Sequence, residues 1–362
     1  MKIALVHEYL NQFGGAERVL QVLCAIFPDA PIYTLFYDAQ ATGGVFEGRE
    51  IRTSFLQNAP FIKKYHRLFP LFMPLAVEQF DFSDFDIVLS VSASFAKGVI
   101  TKPGTRHISY CLTPPRFLWD DSQKFMEDFN YPRIIKKLLP PFITYLRIWD
   151  KEASYRVDEF VAISDFVRER IKKYYSKDAK VIYPPINTSK FSIVNGGGDY
   201  FFMAGRMVFY KRFDIAIKAF NELGWPLKIA GIGPELKRLK RMAKDNIEFL
   251  GPVSDERLAE LYAHSKALIF PQEEDFGITP LESMAAGRPV IAYRGGGAVE
   301  TVVEGETGLF FNEQNSDSLV QVLKDFNPGF FDPKICRAQS ERFDIEVFRE
   351  NIIKLLNPTF NF

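Results

Sequence analysis

The sequence has few of the residues that build disulfide frameworks and metal centres. Its 362 residues include 3 cysteines and 4 histidines, and neither a Cys-x-x-Cys nor a His-x-x-x-His spacing occurs. This scarcity excludes a disulfide framework and a cysteine-rich zinc site, and it fits a reducing, cytoplasmic compartment.

The sequence also lacks an excess of charge and a long hydrophobic run. Lys and Arg number 45 and Asp and Glu number 45, so the basic excess expected of a nucleic-acid binder is absent. No run approaches the ~20 apolar residues that cross a bilayer. The apolar N-terminus stops at His7 and Glu8, too early for a signal peptide. The chain is expected to be soluble or to lie on a membrane.

Short apolar runs alternate with amphipathic segments along the chain, a pattern typical of parallel α/β sheets. The alternation breaks between Pro184 and Gly198, where two prolines and three glycines fall close together. We therefore predict two doubly wound α/β domains, 1–186 and 199–343, joined by a linker at 187–198. One large mixed sheet is the alternative. The predicted strands are 2–7, 85–91, 107–111, 159–163, 180–183, 200–204, 227–230, 247–250, 266–270 and 289–292.

Ligands of such sheets bind beyond the carboxyl ends of the strands, so two facing domains would form a binding cleft. Gly14 and Gly15 follow the first predicted strand and open a helix, where backbone N–H groups suit an anion. Arg206 and Lys211 follow the first strand of the second domain and suit a diphosphate. Each motif alone also has a purely structural explanation. The glycines could form a tight turn, and Arg206 and Lys211 could be solvated surface cations.

The segment 273–282, EEDFGITPLE, is the most informative motif. Thr279 is a plausible helix N-cap with Pro280 at the first helical position, so 277–279 would offer a helix N-terminus to a phosphate. Glu274 lies just upstream, and the Glu282 carboxylate could accept two hydrogen bonds from a ribose diol. Thr-Pro-Leu-Glu is also a capping box, which is the structural alternative.

Three further patterns are weaker. Gly231 and Gly233 lie between a strand and a helix, but Leu236 replaces the third glycine of a dinucleotide fingerprint, which argues against hydride transfer. Glycines 295–297 follow a later strand in the same layer. Asp84 and Asp86 form an Asp-x-Asp motif that precedes a strand, the wrong end for a donor-bound metal, so we expect a solvated loop and no metal.

Taken in series, GGAERV, GRMVFYK, GIGP and EEDFGITPLESMAAGRPVIA resemble the family-4 retaining glycosyltransferases of the GT-B fold. The stretches RHISYCLTPPRFLWD, ISDFVRERIKKYY and VIYPPIN look like the bacterial O-antigen-type mannosyltransferase branch. The resemblance runs from residue 1 to about 345. It implies two Rossmann-like domains facing a cleft and a C-terminal helix, 344–362, that packs back on the first domain.

The resemblance also implies a metal-independent hexosyl transfer from a nucleoside-diphosphate sugar with retention of configuration. Arg206 and Lys211 match the pair that grips the diphosphate, and Glu274 matches the residue near the donor sugar. The remaining donor-binding matches are Gly14, Gly15, Gly231, Gly233, Val253, Phe276, Gly277, Ile278, Thr279 and Glu282. No cofactor is implied beyond the donor substrate.

The chain departs from the family pattern at Leu112, where many members have a histidine beside the transferred sugar. His107 lies an odd number of residues away in the same strand, on the opposite face, and is expected to be a packed strand residue. Glu8 and Arg116 are the remaining acceptor-side candidates.

Two segments, 61–75 and 133–149, mix basic and large apolar residues and could lie on an anionic membrane at the inner face of the plasma membrane. Core helices with a solvated basic edge would show the same pattern. The basic residues concerned are Lys63, Lys64, Arg67, Arg133, Lys136, Lys137 and Arg147.

The leading hypothesis is a mannosyltransferase using GDP-mannose and a saccharide or lipid-linked acceptor in lipopolysaccharide or related surface-glycan synthesis. A non-catalytic sugar-nucleotide-binding or assembly subunit is the alternative, supported only by Leu112. A sugar-nucleotide epimerase of similar architecture is the third. The sequence alone fixes neither the base, the sugar, the acceptor nor the oligomeric state.

Overall fold

The computed structural model of the chain describes residues 1–66, 69–120, 133–194 and 196–356, and only the backbone of 133–139. The chain divides into two compact units, Met1–Tyr183 and Pro184–Phe362. The division falls beside two prolines, which cannot continue a strand's hydrogen bonding. Each unit is built on a parallel sheet of its own.

The first unit contains a seven-stranded parallel sheet in the order β3-β2-β1-β4-β5-β6-β7. Its central strand β4 is buried at every position, as the apolar run around it predicts. The strands are β1 (Ile3–His7), β2 (Ile32–Thr34), β3 (Ile51–Thr53), β4 (Ile87–Ser92), β5 (Arg106–Cys111), β6 (Glu159–Ala162) and β7 (Ala179–Val181). The helices are α1 (Gly15–Ile26), α2 (Ile62–Tyr65), α3 (Met73–Glu78), α4 (Arg116–Trp119), α5 (Arg133–Tyr155) and α6 (Asp165–Tyr175).

The second unit contains a six-stranded parallel sheet in the order β10-β9-β8-β11-β12-β13. Phe201, Ile229 and Ile269 lie in the core that it shares with its helices. The strands are β8 (Tyr200–Ala204), β9 (Leu227–Ala230), β10 (Ile247–Gly251), β11 (Ser265–Phe270), β12 (Val290–Tyr293) and β13 (Gly308–Phe311). The helices are α7 (Phe213–Leu223), α8 (Leu236–Met242), α9 (Asp255–Ala263), α10 (Ile278–Ala285), α11 (Ala298–Thr301), α12 (Ser316–Asp325), α13 (Pro333–Glu341) and α14 (Ile345–Leu356).

The direction in which strands are added reverses once in each sheet. The reversal falls between β1 and β4 in the first unit and between β8 and β11 in the second. In doubly wound sheets the loops at the carboxyl ends of such a strand pair diverge and leave room for a ligand. The predicted fold class, two doubly wound parallel α/β domains with a helical tail, is confirmed, and the single mixed sheet is excluded.

The residues predicted as a linker, 187–198, belong to the second unit. The guanidinium of Arg288 donates to the Val194 carbonyl oxygen at 2.8 Å, and that of Arg337 donates to the Phe191 carbonyl oxygen at 2.8 Å. These contacts tie the polar, glycine-rich stretch to the unit that follows it. Residues up to Leu356 of the C-terminal segment are described, and the packing predicted for 344–362 stays a prediction.

Candidate functional site

The centre of the candidate site is an ion pair between the loops that follow two neighbouring strands. Lys211 ends a short turn after β8, and Glu274 lies in the loop after β11. The Lys211 Nζ lies 2.6 Å from the Glu274 Oε1. The sequence therefore predicted correctly that these residues share one edge of the second sheet, and the edge is the point where the strand order reverses.

The ion pair is mostly buried but still accessible to solvent. The side chains of Lys211 and Glu274 are 18% and 20% exposed. Burial acts to lower the pKa of Lys211, but the Glu274 carboxylate outweighs it, so the pKa lies above its ordinary value. Arg206 is exposed, and its positive charge is close enough to act to lower the pKa of Lys211. Two cations, Lys211 and Arg206, therefore lie at the Glu274 carboxylate or near it.

Backbone segments in this region approach one another closely, and glycine permits it. A Cβ at Gly231, whose φ is +125°, would lie 2.0 Å from the Gly205 carbonyl oxygen. A Cβ at Gly233 would lie 2.2 Å from the Met207 carbonyl oxygen. The Met207 N–H donates to the Ile232 carbonyl oxygen at 2.9 Å. The loops after β8 and β9 are thus packed against each other, and these contacts fix the backbone on both sides of Arg206.

The glycines at 295–297 support the other half of the pair. The Gly297 N–H donates to the Glu274 carbonyl oxygen at 2.8 Å, and a Cβ at Gly296 would lie 2.2 Å from that same oxygen. The loop after β12 therefore fixes the backbone of Glu274. The prediction that these glycines share the layer of the site is confirmed.

Helix α10 begins earlier than predicted. Its N-cap is Gly277 at φ +86°, and Ile278 is the first helical residue, so Thr279 is not the cap and no Thr-Pro-Leu-Glu capping box forms. Pro280 occupies the third helical position, which is tolerated because the first N–H groups of a helix have no intrahelical partner. The prediction that the helix begins in the stretch 277–279 still holds.

Glu282 consequently lies at the fifth helical position, two residues further into the helix than predicted, and it has a different partner. Its Oε2 accepts a hydrogen bond from the buried Tyr262 hydroxyl at 2.8 Å, and its side chain is largely buried. Tyr262 lies on α9, the helix before β11. The hydrogen bond fixes the carboxylate of Glu282.

The other donor-binding candidates of this unit lie on the same edge of the sheet. Val253 is half-buried in the loop after β10, and Phe276 is buried, with its ring 5.8 Å from that of Phe343. Ile278 and Thr279 are half-buried in the first turn of α10. All therefore follow the carboxyl ends of β10 or β11.

In the first unit, Gly14 is the N-cap of α1 and Gly15 is its first residue. The Gly14 N–H donates to the Glu17 Oε2 at 2.8 Å, and the Glu17 Oε1 lies 3.5 Å from the His7 Nε2. Burial acts to raise the pKa of Glu17, but His7 and the backbone N–H groups hold it below its ordinary value. The buried Glu17 carboxylate therefore fixes the glycine turn through the Gly14 N–H.

Glu8 and Arg116 are placed differently from one another. The Glu8 Oε1 accepts hydrogen bonds from the N–H groups of Ala93 at 2.7 Å and Ser94 at 2.6 Å, and Glu8 is buried. Glu8 thus fixes the turn after β4. Arg116 is half-buried at the start of α4. Their acceptor-side roles stay predictions.

His107 is a packed strand residue, as predicted. It is fully buried in β5, its Nε2 lies 2.9 Å from the Ser90 hydroxyl, and burial lowers its pKa to about 4. Leu112 is buried just after the same strand. Asp84 and Asp86 precede β4, and Asp86 accepts a hydrogen bond from the Lys2 N–H at 2.7 Å, so that motif is a surface loop as expected.

Within the part of the chain that the structure describes, no cluster of three or more His, Cys, Asp or Glu side chains could hold a metal ion. The three cysteines are buried thiols. Among the described helices, none combines the length and the apolar character needed to span a bilayer.

Comparison with known proteins adds a family to this geometry. The family model Glycosyltransferase Family 4 matches residues 13–190, and Glycosyl transferases group 1 matches residues 186–327. The two matches support a family-4 glycosyltransferase of the GT-B fold. The glycosyltransferase group 1 match contains the Lys211–Glu274 pair and Glu282.

Two relatives and one solved structure illustrate the likeness. An alpha-1,3/1,6-mannosyltransferase of Dictyostelium discoideum is 26% identical over 95% of this chain and 76% of its own. A GDP-mannose-dependent alpha-(1-6)-phosphatidylinositol monomannoside mannosyltransferase of Mycolicibacterium smegmatis is 33% identical over 33% of this chain and 36% of its own. HepE of Anabaena, solved with UDP, has a TM-score of 0.73 at 17% identity, covering 99% of this chain and all of HepE, which shows the fold.

Sequence reasoning missed several residues that hold the loops of the candidate residues in place. Glu17 carried a signal, because a Glu three residues after an N-cap is half of a capping box. Tyr262 and Gln314 carried none, because each lies far in sequence from the residue it contacts. Gln272 lies only two residues before its partner Glu274, but a glutamine in a loop is no motif.

The close approach at Gly231 makes a stability prediction. Gly231→Ala should lower the free energy of unfolding by more than about 2 kcal/mol, because the methyl group meets the Gly205 carbonyl in a backbone conformation that alanine disfavours. Gly224→Ala is the matched control, since φ there is +70° with nothing within 4 Å of the new Cβ, and about 1 kcal/mol is expected. Urea denaturation measures both, and equal losses would contradict the close-approach argument.

Proposed function

We propose that this chain is a retaining hexosyltransferase that transfers mannose from GDP-mannose to a saccharide or lipid-linked saccharide in surface-glycan synthesis. The observation that carries the proposal is the Lys211–Glu274 pair, with Arg206 beside it, at the strand-order reversal of the second sheet. The mannosyltransferase relatives support the sugar, and the Mycolicibacterium relative supports GDP-mannose and a lipid-linked acceptor.

The proposed chemistry centres on the leaving group. Breaking the bond between the sugar and the diphosphate places negative charge on the phosphate oxygens, and Arg206 and Lys211 would stabilise that charge. An ammonium group has three donors, so Lys211 can hold Glu274 and still donate to a phosphate oxygen. Because the two side chains supply positive charge, we propose that no metal ion is needed.

In the proposed complex, Glu274 and Glu282 bind the uncharged hydroxyl groups of the donor. Glu274, already fixed by Lys211 and the Gly297 N–H, would accept hydrogen bonds from hydroxyls of the donor sugar. Glu282 has one oxygen held by Tyr262 and would bind the ribose diol. In the proposed retaining reaction the acceptor hydroxyl attacks from the side of the leaving group, and the departing phosphate takes its proton. The chemistry therefore needs no histidine at position 112.

The test is turnover by the purified chain. A thermal-shift panel of nucleoside diphosphates identifies the base, and transfer or hydrolysis of the matching nucleotide sugar, GDP-mannose by our proposal, measures activity. Binding without turnover would instead favour the non-catalytic sugar-nucleotide-binding subunit. Turnover of the donor to an epimer, with no acceptor, would favour an epimerase.

Removing Lys211 should separate binding from catalysis. Lys211→Ala is expected to lower kcat about 100-fold with a smaller change in KM, because the charge it stabilises develops in the transition state. Lys324→Ala is the control, since Lys324 lies on α12 and faces Glu222 at 3.9 Å, away from the site. A variant whose KM rises while its kcat stays normal would contradict a leaving-group role.

We further propose that the first unit contacts an anionic membrane. Phe61 is 77% exposed, Phe72 and Leu75 are exposed nearby, and Lys63 and Lys64 are exposed in α2. Along α5, Phe142, Tyr145 and Ile148 are exposed at helical spacing. Apolar side chains beside lysines match an anionic lipid surface. Arg67 and the side chains of Arg133, Lys136 and Lys137 lie outside the described residues.

Vesicle sedimentation tests this contact. The chain should pellet with phosphatidylglycerol vesicles at low salt and be released as salt rises, because surface attraction is screened. Phe61→Ser should reduce the bound fraction several-fold, while Phe330→Ser, which alters an equally exposed phenylalanine (79%) of the second unit, should not. No pelleting at low salt, or equal loss in both variants, would contradict the proposal.

A further inference from the structure

A third loop joins the two loops that carry the central ion pair. Gln314 follows β13, and its amide nitrogen donates to the Pro271 carbonyl oxygen at 3.0 Å. Its amide oxygen accepts a hydrogen bond from the Arg212 Nη1 at 2.8 Å. Arg212 is the neighbour of Lys211, and Pro271 lies three residues before Glu274. One amide side chain therefore connects the backbone next to the cation with the backbone leading to the carboxylate.

Arg212 adopts a conformation that its residue type disfavours. Its φ is +51°, and it is one of three non-glycine residues with positive φ in the described part of the chain. A left-handed conformation costs a non-glycine residue about 1–2 kcal/mol. Arg212 is also the N-cap of α7, and it makes no side-chain capping hydrogen bond. Its one local side-chain contact among the described residues is a 3.3 Å ion pair with Asp214. The shorter bond, at 2.8 Å, is the one to Gln314 in a different loop.

The carboxylate side of the connection ends on Gln272. Gln272 is 3% exposed, and its Nε2 lies 3.4 Å from the same Glu274 oxygen that holds Lys211. Its amide oxygen is buried without a hydrogen-bond partner among the described residues. A buried unpaired oxygen is costly, so the loop keeps Gln272 in this place at some expense of stability. The loop after β11 is thereby held at Pro271 by Gln314 and at Glu274 by Gln272.

We propose that Arg212 and Gln314 are positioning residues that set the distance between Lys211 and Glu274. This inference rests on the proposed function, in which Lys211 must face the departing diphosphate while Glu274 faces the sugar. Neither Arg212 nor Gln314 touches the reacting atoms. They act by fixing two loops, and a small displacement of a catalytic group lowers the rate strongly.

Arg212→Gly separates positioning from simple stabilisation. Glycine favours φ +51°, so the variant should unfold at the same temperature or a higher one. If Arg212 only braces the fold, activity should follow stability and stay normal. If it positions Lys211, kcat should fall about tenfold or more with KM changed less. Gln314→Ala should give the same pattern, and the double variant should be little worse than either single one.

A second readout does not need a donor. Acetic anhydride labelling followed by mass spectrometry measures the reactivity of the Lys211 amine. The labelling reaction is slow while the Glu274 carboxylate keeps this amine protonated. The titratable groups that act on this amine are Glu274, Arg206 and Tyr210. Loosening the pair should speed labelling about tenfold for each unit by which the pKa of Lys211 falls. Loss of the Arg212 charge alone would slow labelling, so the sign of the change decides between the two explanations.

Asn246→Ala is the matched control. Its amide nitrogen also joins two backbone segments of this unit, donating to the Phe220 carbonyl oxygen at 2.9 Å and the Trp225 carbonyl oxygen at 2.7 Å, but it lies before β10, at the opposite edge of the sheet from Lys211 and Glu274. Labelling of Lys211 should stay unchanged in this control and rise in Arg212→Gly and Gln314→Ala.

The outcomes separate this inference from the proposed function. Faster Lys211 labelling in both variants supports positioning even if the wild-type chain turns over no nucleotide sugar, a result that would overturn only the proposed function. Normal labelling and normal kcat in folded variants of an active enzyme would overturn the positioning role and leave the function standing.

Discussion

The arrangement of the second unit depends on one contact, the ion pair of Lys211 with Glu274. The Glu274 carboxylate stabilises the charged form of Lys211, which is largely removed from water, and removing either partner would leave an uncompensated charge. The loops after β8, β9, β11, β12 and β13 each touch this pair or the backbone beside it. Glycines let those loops approach, and the strand-order reversal leaves the space in which a ligand can reach the cations.

The first unit shows a related solution at its own reversal. Glu8, after β1, binds the N–H groups of the turn after β4, and Glu17 binds the N–H of Gly14 while facing His7. In both units, then, buried carboxylates shape loops at the carboxyl ends of strands. In the first unit the partners are backbone N–H groups and, for Glu17, also His7, so the result is a fixed loop. In the second unit the partner is a lysine, and a second cation, Arg206, lies near it. That difference is why the proposed chemistry is assigned to the second unit.

Much of the fold and part of the site could be predicted from the sequence, for physical reasons that differ by element. Strands such as β8 and β9 are buried apolar runs, and they were predicted to the residue. The three-residue strands β2 and β3 were missed because so few residues show no periodicity. The start of α10 was misplaced because Thr279 and Pro280 form a good capping pattern, whereas a backbone turn at Gly277 decides the matter. Lys211 and Glu274 were found through motif spacing, but Gln314 was not, because its role depends on contacts distant in sequence.

The most direct test asks which ligand is recognised at the edge of the second sheet that carries Arg206 and Lys211. Isothermal titration would compare a nucleoside diphosphate with the monophosphate of the same base, in the wild-type chain and in Arg206→Ala/Lys211→Ala. The account predicts that the wild type binds the diphosphate more tightly and that the double variant loses this preference while its monophosphate affinity changes less. An equal preference for the diphosphate in both proteins would contradict the account.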